Sequence, residues 1–171
     1  MIIRRATQAD VEAIARVHVQ AWHESYRDLL PRAAIEARPL ETRLEQWRGI
    51  LEDPDVLVYV AEQDRAVCGF GSGGKARTGL PAETEVYSFY LLDVAKRRGV
   101  GRMLFTRLCN EFATRGFASL GLWVLVGNAP ARRFYQAMGG RSGETRLDRR
   151  GEFVFDDIAY IWDDLAAFAL V

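Results

Sequence analysis

The stretch Tyr90–Met103 reads YLLDVAKRRGVGRM. Its first residues end Thr84–Leu92, a run rich in aromatic and β-branched residues that predicts a strand. Its last residues open Gly99–Arg115, where Val100, Leu104, Leu108 and Phe112 recur on one helical face and Gly116 closes the helix. In between, Gly99 and Gly101 permit a tight turn and close approach of a ligand. Unbonded N–H groups at the helix start and the positive end of its dipole make an anion site. Lys96, Arg97, Arg98 and Arg102 surround it with positive charge. The combination suits a pyrophosphate. A Walker A loop needs GxxxxGK[ST], which is absent. A dinucleotide fold needs GxGxxG, and GVGRML lacks the third glycine. Coenzyme A remains, with a solvated basic turn as the bland alternative.

Outward from this turn the elements alternate. On the C-terminal side, Leu120–Val126 predicts a buried strand and Ala129–Met138 a short helix. Strands near Arg141–Leu147 and Phe153–Ile161 follow. On the N-terminal side, Val56–Glu62 and Ala66–Gly73 predict two strands joined by a turn at Gln63–Arg65. Helical spacing covers Leu40–Leu51, and an earlier helix runs to about Trp22 behind a Thr7–Asp10 capping box. Met1–Ala6 predicts a short strand. The order implies a mixed α/β domain with a central, mostly antiparallel sheet flanked by helices on both faces. Its 171 residues suit a single domain, 1–171.

Composition excludes several classes. Lys plus Arg and Asp plus Glu are 23 each, so the net charge is zero. A nucleic-acid-binding domain is expected to be basic. Cys68 and Cys109 form no CxxC pair and have only His18 and His23 to join them, so no metal site is expected. Lone cysteines suit a reducing compartment. No signal peptide or membrane span is read, and the expected location is cytoplasmic.

The helix after the fourth long strand reads NAPARRFYQAMGG, Asn128–Gly140. Asn128 can cap it, and Pro130 suits its first turn. Phe134 and Met138, four apart, are expected to pack inward. With the glycine turn, this helix resembles the GNAT superfamily of N-acetyltransferases. Lys96–Gly101, KRRGVG, stands for that family's Arg/Gln-x-x-Gly-x-Gly/Ala motif. Asn128, Ala131, Phe134, Tyr135 and Gly139 match its Asn-x-x-Ala-x-x-Phe-Tyr-x-x-x-Gly motif. The N-terminal AWHESYRDLLP is similar to a common bacterial branch, so the resemblance covers nearly the whole chain. Lys96 departs from the usual Arg or Gln, which implies weaker phosphate geometry.

The resemblance implies an enzyme that moves an acetyl group from acetyl-CoA to a primary amine of a small molecule or peptide by direct attack. It implies phosphate contacts from the N–H groups of Arg98, Gly99, Val100, Gly101, Arg102 and Met103 and from the basic side chains of Lys96 and Arg97. Backbone groups of Leu91 and Leu92 would pair with the pantetheine arm like an added strand. Asn128, Ala131 and Phe134 would also face the coenzyme. Tyr135 takes the position of the proton donor to the thiolate. Glu85, eleven residues before Lys96, takes the spacing of a base glutamate in several members. A solvated edge carboxylate is the competing reading of Glu85, and Glu83, Glu24 and His23 stand in reserve. Walls for the acceptor are expected from Trp22–Pro31 and Lys75–Glu83, and Trp22, Tyr26 and Trp47 either line them or, as aromatics at such spacing more often do, pack in the core. A non-catalytic acyl-CoA-binding module of the same fold is the alternative, and a homodimer stays open.

Overall fold

The computed structural model describes residues 1–150 and 152–168. Strands are β1 (Ile2–Arg5), β2 (Leu57–Gln63), β3 (Ala66–Lys75), β4 (Thr84–Leu91), β5 (Leu120–Leu125), β6 (Arg141–Arg150) and β7 (Phe153–Trp162). Helices are α1 (Val11–Tyr26), α2 (Arg32–Glu36), α3 (Leu40–Glu52), α4 (Val100–Thr114) and α5 (Ala129–Ala137). Hydrogen-bonded neighbours give the order β1-β2-β3-β4-β5-β7-β6. β1–β2, β2–β3, β5–β7 and β6–β7 run antiparallel. β4–β5 is parallel and is registered only at Thr84↔Leu120 and Glu85↔Gly121. The fold is the mixed α/β class with a mostly antiparallel sheet that the sequence predicts.

The chain divides into two compact units. The first holds Met1–Gly74 and Tyr87–Leu108. The second holds Lys75–Val86 and the chain from Cys109 onward.

In the first unit, the expected Thr7–Asp10 capping box forms. Thr7 N–H donates to Asp10 Oδ2 at 2.8 Å, and the Thr7 hydroxyl donates to the same oxygen at 3.1 Å. A 3-10 turn, Gln8–Asp10, therefore precedes α1. Arg4 grips both Asp10 oxygens, at 2.7 and 2.8 Å, and holds this carboxyl down to about 2. α1 runs on to Tyr26, beyond the expected end near Trp22. Nothing in HESY breaks it, and the Trp22 and Tyr26 rings, one turn apart, meet at a tilt with centroids 4.5 Å apart. The five-residue α2 went unread because it is too short to show a period. Val11, Ile14, Ala15 and Val17 of α1 join Trp47 of α3 and Val58, Val60 and Phe70 of the sheet in one apolar core. Trp47 is wholly buried there, so it packs the core and does not line a surface wall.

His18 lies in the same core. Its Nδ1 accepts the Trp47 indole N–H at 3.1 Å, and its ring packs against Phe70 and Tyr90. Burial, with Arg43 and Arg38 nearby, pushes its pKa down to about 2. The unfolded chain binds a proton at an ordinary histidine below about 6.5. The folded chain does not, so stability falls as pH drops below about 6.5, by up to ~1.4 kcal/mol per pH unit. Denaturant midpoints between pH 6.5 and 4.5 should show this slope in the wild type and lose it in His18→Gln. Equal slopes would assign the acid sensitivity to other groups.

In the second unit, Leu80, Ala159 and Ile161 cluster with Trp123. β7 carries Tyr160 and Trp162 inward, and the Trp162 indole N–H donates to the Met138 carbonyl at 2.9 Å. A Cβ on Gly140 would stand 2.6 Å from the Trp162 ring, which explains the second glycine of the pair ending α5. Gly139, at φ +86, supplies the left-handed turn.

Candidate active site

In the first unit, β4 ends at Leu91 and a 3-10 turn, Asp93–Ala95, leads into the basic loop. Arg97 at φ +59 and Gly99 at φ +78 turn the backbone through the left-handed region. The first helical bond runs from Met103 N–H to Gly99 O at 3.0 Å. The amides before Met103 thus have no acceptor within the helix, the requirement for an anion cradle. Val100 is buried against Ala61, Cys68 and Ala95 and anchors the helix start. Gly101 is half-buried, while Arg97, Arg98, Arg102 and Met103 are exposed. Lys96 instead bonds Asp93 Oδ1 at 2.7 Å, so its charge is partly spent locally.

Leu91 and Leu92 differ in their backbone use. Leu92 N–H donates to Cys68 O at 2.9 Å, and its carbonyl accepts from Ala95 N–H at 2.9 Å. Both Leu92 groups are therefore engaged. Alternation along a strand turns the groups of Leu91 the other way, away from β3. Glu24, a reserve base, is committed as well: it accepts from Asp93 N–H at 2.7 Å and from Gln20 at 2.8 Å. His23 lines a cleft of about 300 Å³ with Arg27, Arg32, Ile35 and Glu36.

In the second unit, Asn128 caps α5 by accepting the Ala131 N–H at 3.2 Å. Ala131 and Phe134 are half-buried. Tyr135 is 7% exposed and packs against Phe134, Tyr160 and Trp162, with ring centroids at 5.3, 5.9 and 6.1 Å.

Glu85 is 4% exposed, so it is not a solvated edge carboxylate. Its Oε2 accepts the N–H groups of Arg77 and Thr78 at 3.0 and 3.2 Å, and its Oε1 accepts the Thr78 hydroxyl at 2.9 Å. The Trp123 indole N–H donates to that hydroxyl at 2.8 Å, and the Arg146 guanidinium lies 4.0 Å from the centre of the Trp123 ring. Thr78, Trp123 and Arg146 stand far apart in sequence, and no local pattern marks them. Glu83 is held too, accepting from Ala118 N–H at 2.6 Å. Cys68 and Cys109 are unpaired and buried, and burial pushes both thiols up. Among the described residues no three His, Cys, Asp or Glu side chains stand together as metal ligands, and no helix is long and apolar enough to cross a membrane.

Comparison with known proteins gives the family and the fold. The model of the Acetyltransferase (GNAT) family matches residues 17–139. The chain is 29% identical over 168 residues to the uncharacterized N-acetyltransferase YuaI of Bacillus subtilis (strain 168), covering 96% of this chain and 94% of that one. An N-acetyltransferase from Staphylococcus aureus Mu50 shares the fold with a TM-score of 0.74 at 21% identity, over 96% of this chain and 98% of that chain. The PaiA N-acetyltransferase from Thermoplasma acidophilum, solved in complex with coenzyme A, does so with a TM-score of 0.70 at 18% identity, over 92% and 96%. With the motif turn before α4 and the capped α5 inside the matched span, the chain belongs to the acetyltransferase (GNAT) family and is an acetyl-CoA-dependent N-acetyltransferase.

Proposed function

We propose that residues 1–171 act as one N-acetyltransferase domain, cytoplasmic, that passes acetyl from acetyl-CoA to a primary amine of a small molecule or peptide by direct attack. The observation that carries this reading is the left-handed turn at Arg97 and Gly99, which leaves the first amides of α4 without helical acceptors. In this reading the amides of Arg98 through Arg102 hold the pyrophosphate, Met103 N–H being spent on Gly99 O, and Arg97, Arg98 and Arg102 neutralise it. Lys96 contributes once it leaves Asp93. Leu91 offers the strand-like pairing to pantetheine, and Leu92 acts by shaping the strand end. Asn128, Ala131 and Phe134 face the coenzyme. The coenzyme A in the structurally similar Thermoplasma enzyme supports coenzyme A as the ligand class.

A lysine-like amine has a pKa near ~10.4, so about one molecule in a few thousand is neutral at pH 7. A group must take the proton as the amine attacks. We assign that step to Glu85 and the donation to the leaving thiolate to Tyr135. The three donors on Glu85 favour a second role, anchoring the Lys75–Glu83 loop. Oε1 carries one donor and retains a lone pair for a water or the amine.

Glu85→Gln separates the two roles. Gln keeps the shape, and its carbonyl oxygen can accept from Arg77 and Thr78 while its NH2 faces the Thr78 hydroxyl. The loop should hold. If Glu85 is the base, kcat falls more than KM rises, and the pH inflection of the rate moves or disappears. An unchanged kcat and pH profile would leave Glu85 as the loop anchor alone.

A further inference from the structure

The first unit buries a cation that its core does not explain. Arg43 projects from α3 and is 2% exposed. Among the described residues, its guanidinium has one hydrogen-bond partner, Gln46, which takes Nη1 at 2.9 Å. Nη1 lies on the Cδ side of the guanidinium. The opposite edge, Nε–H with Nη2–H, is the one that grips carboxylates and phosphates with two parallel bonds. Nε on that edge is buried and unpartnered. The indole Nε1 of Trp22 is also buried and unpartnered. The guanidinium stands 5.8 Å from the centre of the Trp22 ring, so two orphan donors share one neighbourhood.

The surroundings sharpen the anomaly. Two titratable groups act on Arg43, the like-signed Arg38 and the Tyr90 phenol, which favours its charge, and His18 beside it is held neutral. Burial with Arg38 nearby pushes the Arg43 pKa down to about 10, still well above neutrality. A buried charge without a counterion is strongly destabilising, and an apolar residue of similar length would pack at this position without that cost. Trp22 is half-buried, so the donors lie one side chain below the surface.

We propose that Arg43 and Trp22 form a binding site for an oxyanion, the carboxylate or phosphate group of the amine acceptor, with the Nε–Nη2 edge making two bonds and the indole N–H a third. The link to an acceptor rests on the amine-acetyltransferase reading; the anion site itself does not.

Nitrogen-15 NMR of the full chain tests the site directly. Saturating coenzyme A first occupies the α4 turn. Inorganic phosphate and, separately, acetate are then titrated against sodium chloride at constant ionic strength. The Trp22 Nε1–H and Arg43 Nε–H signals should move together and saturate in the millimolar range, while the Trp47 Nε1–H, bonded to His18, stays in place. Arg43→Met should abolish the Trp22 shift, and Arg43→Lys, which keeps charge without the fork, should weaken it by about tenfold. The two probes distinguish carboxylate from phosphate. Unmoved signals, or equal movement with chloride, overturn the site and leave both donors to buried water. Paired amines then test the acceptor link: 2-phenylethylamine against L-phenylalanine, and ethanolamine against O-phosphoethanolamine. The anionic member should show a KM at least tenfold lower, and Arg43→Met should erase the difference. Saturable anion binding with a preference for the neutral amine overturns the acceptor link while the site stands.

Discussion

Tyr135→Phe lowers turnover by about 10²–10⁴-fold, the scale of a lost acid catalyst, and leaves acetyl-CoA affinity within a few-fold. The ring packs against Phe134, Tyr160 and Trp162, and phenylalanine keeps that packing. An alanine would instead open a cavity worth about 3–5 kcal/mol and mix folding with chemistry. The relative acidities set where in the range the loss falls. A phenol near ~10 gives its proton to a thiolate near ~8.5 uphill by about 2 kcal/mol. In the proposed role Tyr135 would act mainly as a hydrogen bond to the developing charge, and the lower end of the range is favoured. Steady-state turnover with a free-thiol readout measures this, beside acetyl-CoA binding by thermal shift. Unchanged turnover would mean that the thiolate leaves with a proton from water.

Acetyl-CoA raises the melting temperature of the wild type, as any ligand of the native state does, and Gly101→Asp removes that shift. Gly101 sits in the first turn of α4, and its φ is not among the positive values of the chain. Aspartate therefore fits the backbone, and its charge favours the helix N-terminus. The variant should fold at least as well as the wild type. Its carboxylate stands where the pyrophosphate is proposed to bind. Two like charges about 4 Å apart repel by about 4 kcal/mol at an effective dielectric of about 20, roughly 10³-fold in affinity. A companion change, Gly99→Ala, strains the φ of +78 by about 1–2 kcal/mol and should lower the melting temperature even without ligand. Normal coenzyme binding by Gly101→Asp would place the phosphate site elsewhere.

Features decided within a few residues were legible in advance. Gly99 and Gly116 occupy left-handed turns, and Asn128 caps α5 three residues before the N–H it receives. The strands around them begin and end within about three residues of the expected positions. Local patterns also misled. Helical periodicity placed the end of α1 near Trp22, because HESY is too polar to extend an apolar stripe, although it contains no helix breaker. Phe134 was expected inside with Met138; Met138 is buried and Phe134 is half-buried.

The amino-acid order by itself determined the glycine turn and the motifs that carry the family resemblance, because those motifs are short and local, and that resemblance in turn named Tyr135 and Glu85 as candidates. Tertiary structure alone decided what each side chain meets. Glu85 became a buried acceptor of three bonds because Thr78 folds back over it and Trp123, 45 residues further on, donates to the same hydroxyl. Leu92 lost both backbone groups to Cys68 and Ala95. The Arg43 Nε–H and the Trp22 indole N–H, on helices far apart in sequence, became neighbouring donors without acceptors. Hydrogen-bond partners are set by distances of about 3 Å between atoms whose separation along the chain carries no period, so no local pattern encodes them.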